Sequence, residues 1–241
     1  IKFGVYDQFG MNKDKLKDLL IFYSSSEKKM VTLQEYVSRM KEGQEAIYYA
    51  CGETTDKIDL TPQVEQVKDK GYEILYCTDY VDEFALQTLM TYEEKKFLNV
   101  AKDNLNLDTE EEKEEIKKLN EDNKDMFTLM KETLPDIKEV RFTNRLKTHP
   151  VCLVSEGNIS IEMEKVINAM PTDEQIKADK VLEINKDHKI AKKLEHLYET
   201  DKEALKDYTK ILYAEARLIE GLPIDNPTEI TCLICDKLAA E

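Results

Sequence analysis

The chain has 241 residues, enough for one large domain or two ordinary ones, and its 41% hydrophobic content can build a sizeable core. Its formal net charge of −15 excludes a general nucleic-acid binder, which needs basic surface to displace counterions, and equally an anionic membrane surface as partner. No apolar run approaches the roughly 20 residues needed to cross a bilayer, and the acidic balance favours a soluble, cytoplasmic setting. The five cysteines, Cys51, Cys77, Cys152, Cys232 and Cys235, are odd in number and scattered, which excludes a disulfide framework and fits a reducing compartment. The first residue, Ile1, stands inside what reads as a continuing segment, so the chain is expected to be part of a longer protein.

In chain order, "KDKLKDLLIFY" at 13–23 places Leu16, Leu19 and Leu20 at helical spacing, and "SSSEKK" breaks it. In "TLQEYVSRMKEG" Thr32 stands three residues before Glu35, the capping-box spacing, and Gly43 is the expected stop. Three apolar runs follow, "AIYYAC", "YEILYC" and "KFLNVA". Between them lie two helical segments, "TPQVEQVKDKG", which has Pro62 near its start and Gly71 at its end, and "DEFALQTLM". Strand, helix, strand, helix, strand reads as a small parallel βαβαβ unit, with "AIYYAC" as a strand covered on both faces.

A charged stretch, 109–134, predicts a connecting helix. Thr109 and Glu112 form a second capping box, and Ile116, Leu119, Met126, Phe127 and Met130 would dock its inner side. Glu114 and Lys118 have the spacing of a favourable i,i+4 pair. Beyond it, "IKEVRFTNRL" and "PVCLVSEG" read as an antiparallel pair and "KVLEIN" as a third strand, with a helix over "NISIEMEKVINAM". Two helices end the chain, 201–221 stopping at Gly221 and a second capped by Asn226 with Pro227 at its first position. The expected fold is therefore α/β and then α+β, with residues 1–108 as one domain and 109–241 as another that closes in a helical hairpin.

Chemistry-bearing motifs are sparse. Cys232 and Cys235 fall inside an apolar helix, where they read as buried structural thiols rather than a redox pair. A structural zinc needs four ligands and no second pair stands nearby in the sequence. The seven glycines form no phosphate loop, and no nucleophile elbow is present. On 158–170, Ile159, Met163, Val166, Ile167 and Met170 share one helical face. That face is either core or an adaptable methionine-bearing surface for apolar partners. The last two helices carry Leu205, Tyr208, Ile211, Leu212, Leu218 and Ile219, then Ile230, Leu233, Ile234 and Leu238. That is apolar surface for packing within the domain or for a four-helix bundle about a two-fold axis.

Taken together, "LLIFYSSS…TLQEYVSRMKEGQEAIYYACGE", "GYEILYCTDYVDEFALQ", "NRLKTHPVCLVSEG…MEK" and "VLEINKDHKIAKKL" resemble, in order, the middle and C-terminal domains of the heat shock protein ninety chaperone family in its bacterial HtpG branch. The resemblance spans nearly the whole chain. It implies an ATP-driven chaperone that binds unfolded or partly folded client proteins and homodimerises through its C-terminal helices. It places 1–108 in the C-terminal part of the middle domain and 109–241 in the dimerisation domain. It implies client contacts at Glu83, Phe84 and Gln87 and along Ile159, Met163, Val166, Ile167 and Met170. It implies a dimer interface at Leu205, Tyr208, Leu212, Leu218, Ile219, Ile230, Leu233, Ile234 and Leu238. ATP with magnesium belongs to the family's N-terminal domain, whose motifs this chain lacks, so no cofactor, no catalytic residue and no ATPase activity are expected of these residues. Lys186 and Lys189 replace prolines common in the family, and His149 a serine. The competing readings are a structural dimerisation module and an α/β enzyme with an unrecognised site.

Overall fold

A computed structural model describes residues 1–103, 105–171 and 175–239. The fold is mixed α/β and forms two compact units. One comprises Ile1–Leu105 with Glu162–Ile176, the other Asn106–Ile161 with Lys177–Glu241.

The first unit begins with α1 (Lys2–Gly10) and α2 (Lys13–Leu16), then pairs β1 (Ile21–Ser24) with β2 (Met30–Thr32). Helical spacing in "KDKLKDLLIFY" therefore misleads beyond Leu19: Ile21–Ser24 is a strand. Phe22 and Ser24 point inward while Ile21 stays exposed, the period of two that a half-covered strand requires. The Thr32–Glu35 capping box forms and starts α3 (Leu33–Ser38), which stops well before Gly43. The chain continues through β3 (Ala46–Cys51), α4 (Thr55–Asp59), a 3₁₀ turn at Pro62–Val64, α5 (Glu65–Asp69), β4 (Ile74–Cys77), α6 (Asp82–Leu89), β5 (Thr91–Tyr92) and β6 (Lys95–Asn99). Gly71 closes the α5 segment at φ +69°, a left-handed position that glycine adopts without strain.

The strands form one sheet in the order β2-β1-β4-β3-β6-β5. β3 lies between β4 and β6 and is parallel to both, which is the anticipated βαβαβ core; β1 adds antiparallel to β4. The Tyr36 hydroxyl ties α3 to the sheet. It donates to the Glu73 carbonyl at 2.7 Å and accepts from Gln44 Nε2 at 2.9 Å and the Tyr48 amide at 3.1 Å. Glu73 itself accepts from Ser24 Oγ at 2.6 Å and from both Arg39 Nε and Nη2, at 3.1 and 2.8 Å.

In the second unit the charged stretch is two helices, α7 (Glu110–Asp122) and α8 (Lys124–Thr133). They divide at Asn123, whose side chain donates to the Leu119 carbonyl and so competes with the helix backbone. The Thr109–Glu112 box forms, while the ion pair on this first turn joins Lys113 to Glu110 at 2.7 Å. Met126, Phe127 and Met130 are buried, with Ile116 and Leu119 packed beside them.

The sheet here is β7 (Ile137–Thr143), β8 (Val151–Glu156) and β9 (Asp179–Asn185), in the order β7-β9-β8. The first two are thus not paired, contrary to the sequence expectation. β9 inserts between them, parallel to β7 and antiparallel to β8. α9 (Ile161–Asn168) is shorter than 158–170. α10 (Lys189–Thr200), which periodicity did not single out, starts on His188, whose Nδ1 accepts from the Ile190 amide at 3.2 Å. α11 (Lys202–Ile219) and α12 (Pro227–Ala239) form the terminal hairpin; Asn226 Oδ1 caps the Glu229 amide. Leu194, Leu205, Leu212 and Ala216 join the α8 and sheet side chains in one core.

Glu183 sits at the centre of this sheet, in register with Arg141 on β7 and Cys152 on β8. Its Oε1 accepts from Arg141 Nη2 at 2.7 Å and its Oε2 from Arg145 Nε at 2.9 Å. Burial pushes the carboxyl up, but the two guanidinium charges outweigh it and hold the group below the usual glutamate range. The stabilisation is therefore complete above the unfolded value of about 4.3 and is lost as pH falls through the lower folded value. Glu183→Gln, which removes the buried charge that Arg141 and Arg145 share, is expected to destabilise by about 1–3 kcal/mol at neutral pH and to flatten the acid limb of stability. Urea unfolding of both proteins across the range down to about pH 3 measures this.

Candidate functional site

The anticipated contact residues on α6 differ sharply in access. Asp82 and Glu83 occupy its first turn, where the helix dipole favours carboxylates, and both are buried. Asp82 pairs with Lys2 Nζ at 2.8 Å, and burial raises its carboxyl despite that lysine. Glu83 Oε1 accepts from Asn99 Nδ2 at 2.7 Å and lies 3.5 Å from the Tyr49 hydroxyl. The glutamate thus serves the interior of the βαβαβ unit. Phe84 is half-buried and meets Tyr6 edge to face, ring centroids 5.5 Å apart. Gln87 lies on the exposed side.

The first unit also contains Glu162–Ile176, so most of the anticipated α9 face belongs with α6. Gln87 Nε2 donates to the Met163 thioether sulfur at 3.1 Å, across 76 residues of sequence. The two segments nominated separately for client contact are therefore neighbours. Met163, however, is 7% exposed, not the open knob anticipated for it; its side chain is covered while Val166 and Ile167 are half-buried and Met170 is 49% exposed. Ile159 is half-buried against the second unit's own core.

On the hairpin the nominated residues divide in the same way. Leu205 and Leu212 lie in their own core, Tyr208 packs beside it, and Leu218, Ile219 and Leu238 are exposed, at 62%, 39% and 69%. On α12, Lys237 pairs with Asp207 at 2.8 Å and Glu229 with Lys210 at 2.8 Å, which fixes the side turned to α11. Ile230, Leu233 and Ile234 follow that side at helical spacing and are half-buried. Cys232 and Cys235 are exposed, correcting their reading as buried thiols; no residue of α12 is buried. The outward positions Thr228, Thr231, Cys232, Cys235 and Leu238 are all exposed and uncharged. A charge census of the helix, rather than a search for apolar spacing, is the signal that finds them. Tyr6, the ring partner of Phe84, is the other residue missed.

A model of the "Hsp90 protein" family matches residues 1–240. The chain belongs to the Hsp90 family. Chaperone protein HtpG of Oceanobacillus iheyensis is 57% identical over 236 residues, covering 98% of this chain and 38% of that protein. The HtpG proteins of Clostridium botulinum (strain Langeland) and Bacillus subtilis (strain 168) are 56% and 53% identical over the same shares. The chain thus spans 38% of the length of these curated HtpG relatives. Among the described residues of this Hsp90 chain, no group of three or more His, Cys, Asp or Glu side chains could hold a metal ion, and no helix is long and apolar enough to cross a membrane. The seven glycines do not gather into a phosphate-binding loop.

Burial separates the roles of the two methionines on this helix segment. Met163→Ala is expected to cost about 2–5 kcal/mol, and Met170→Ala less than about 0.5 kcal/mol. Parallel urea denaturation of the two variants measures the difference.

Proposed function

We propose that this chain is the client-binding and dimerising part of an HtpG-type chaperone. It takes unfolded or partly folded proteins on the surface built by α6 and the α9 segment and joins a second copy through the terminal hairpin as a C2 homodimer. Residues 1–108 are the C-terminal part of the middle domain and 109–241 the dimerisation domain, with 109–134 as its connecting helices. The parent is a slow ATPase whose nucleotide and magnesium bind in an N-terminal domain outside these residues, and it works in the cytoplasm without nucleic-acid or membrane partners.

The observation that carries the reading is the Gln87–Met163 contact. It unites two apolar segments, 76 residues apart, into one surface on which Phe84, Val166, Ile167 and Met170 remain at least partly accessible. Methionine and aromatic side chains suit varied apolar partners because they adapt in shape and bury large area for few fixed torsions. The accessible subset does the contacting; Glu83 and Met163 support it from within. At the hairpin, Leu218, Ile219 and Leu238 are available to a partner, while Leu205 and Leu212 hold the hairpin onto its own unit.

A structural dimerisation module without client surface draws on the same burial of Glu83 and Met163. Phe84→Asp and, separately, Val166→Asp distinguish the two. Each variant is expected to lose most of the parent chain's ability to suppress light scattering by dithiothreitol-reduced insulin. Circular dichroism and sedimentation are expected to remain as in the parent chain. Full suppression by both folded variants would contradict the client reading.

A further inference from the structure

The fold makes no use of the thiols of Cys232 and Cys235, which are exposed on α12. The side of α12 turned to α11 is carried by Ile230, Leu233 and Ile234, all half-buried, and by Lys237, which pairs with Asp207. At 3.6 residues per turn the opposite side is centred on Thr228, Cys232, Cys235 and Ala239. The two cysteines straddle that centre, about 60° apart around the axis, with Asp236 at the edge. Three residues apart on one helix, their Cβ atoms lie about 5–6 Å from each other, so both thiols can turn to one ion.

Such a pair is half of a site. A closed zinc centre takes four ligands in a tetrahedron, with thiolate sulfur at about 2.3 Å. Among the described residues of one chain no group of three or more candidate ligands exists to complete it. A second copy supplies the missing pair. An isologous contact sets a patch against itself, and positions at its centre meet their own copies. Cys232 and Cys235 lie at the centre of this side along the helix as well as around it, since Pro227–Ala239 has its midpoint at Leu233. A two-fold axis through that point gathers two thiols from each copy. Thr228 and Ala239 beside them are small, which lets two helix axes approach to about 8–10 Å. In a chain of net charge −15, this uncharged strip is also where a second copy meets least repulsion.

We propose that Cys232 and Cys235 of two copies bind one zinc ion between them, as a tetrathiolate clasp on the dimer axis. The proposal rests on the hairpin dimer proposed above and names the ligand that closes it. Thiolates, being soft donors, select zinc over magnesium and calcium. An ion bound only by the dimer must tighten the dimer by linkage.

Cobalt(II), which stands in for zinc and reports its ligands by absorption, tests the assignment in the reduced 241-residue chain. The spectrum is expected to show thiolate-to-cobalt charge transfer and tetrahedral bands, to saturate at one cobalt per two chains and to bleach when zinc is added. Cys232→Ser and Cys235→Ser, surface changes that leave circular dichroism as in the parent chain, should each weaken metal binding more than about tenfold. Sedimentation should show a dimer tightened at least about tenfold by zinc relative to the same chain in a chelator. Saturation at one cobalt per chain, a spectrum without thiolate bands, or unchanged binding in the two serine variants would each overturn the clasp. A dimer that forms equally well in chelator and binds no metal overturns the clasp and leaves the dimer reading standing. A monomer at every zinc concentration overturns both.

Discussion

A chain with 35% charged residues can fold only if each ionisable group drawn inside meets a partner there, and three buried glutamates meet that condition in this protein. Glu73 joins β1 and α3 through Ser24 and Arg39. Glu83 holds α6 to the end of β6 through Asn99. Glu183 binds the β7–β9 pair through Arg141 and Arg145. Each carboxylate sits where two elements far apart in sequence must agree on a register. A slipped strand would leave a charge unpaired at a cost of several kcal/mol, so these contacts select one pairing among many apolar alternatives.

The same acidity constrains the outside. Copies of a chain bearing −15 repel one another, and apolar client segments gain little from a charged surface. Association therefore belongs where charge is absent. The outward positions Thr228, Thr231, Cys232, Cys235 and Leu238 of α12, with Leu218 and Ile219 at the C-terminal end of α11, meet that condition; around Phe84, Gln87, Val166 and Met170 the nearby charges of Glu162 and Lys165 neutralise each other. The proposed roles of these regions in client binding and dimerisation share this physical basis.

Local chemistry was legible in the sequence. Both Thr–Glu capping boxes, the Pro62 and Gly71 boundaries and the Asn226 cap depend on neighbours within a few residues, and all are present; the central strand "AIYYAC" was legible from its continuous apolar run, which marks a strand covered on both faces. What failed depended on distance. "LLIFY" continues a helical spacing into a strand because β2 and β4 supply partners that no local pattern reveals. β9 displaces β8 from β7 for the same reason. At the candidate surfaces, periodicity identified the stripes on α9 and α12 without showing which side was covered. Met163 was therefore expected in the open and Cys232 and Cys235 inside, and each is the reverse.

The central claim is that this acidic chain associates through its uncharged hairpin surface. Sedimentation equilibrium of the 241-residue chain, alongside Cys235→Asp, which places a charge on the exposed side of α12 where no intrachain packing is lost, tests it most directly. The account predicts a dimer for the parent chain at micromolar concentration and a folded monomer for the variant. A parent chain that sediments as a monomer, or a variant that dimerises equally well, would contradict it.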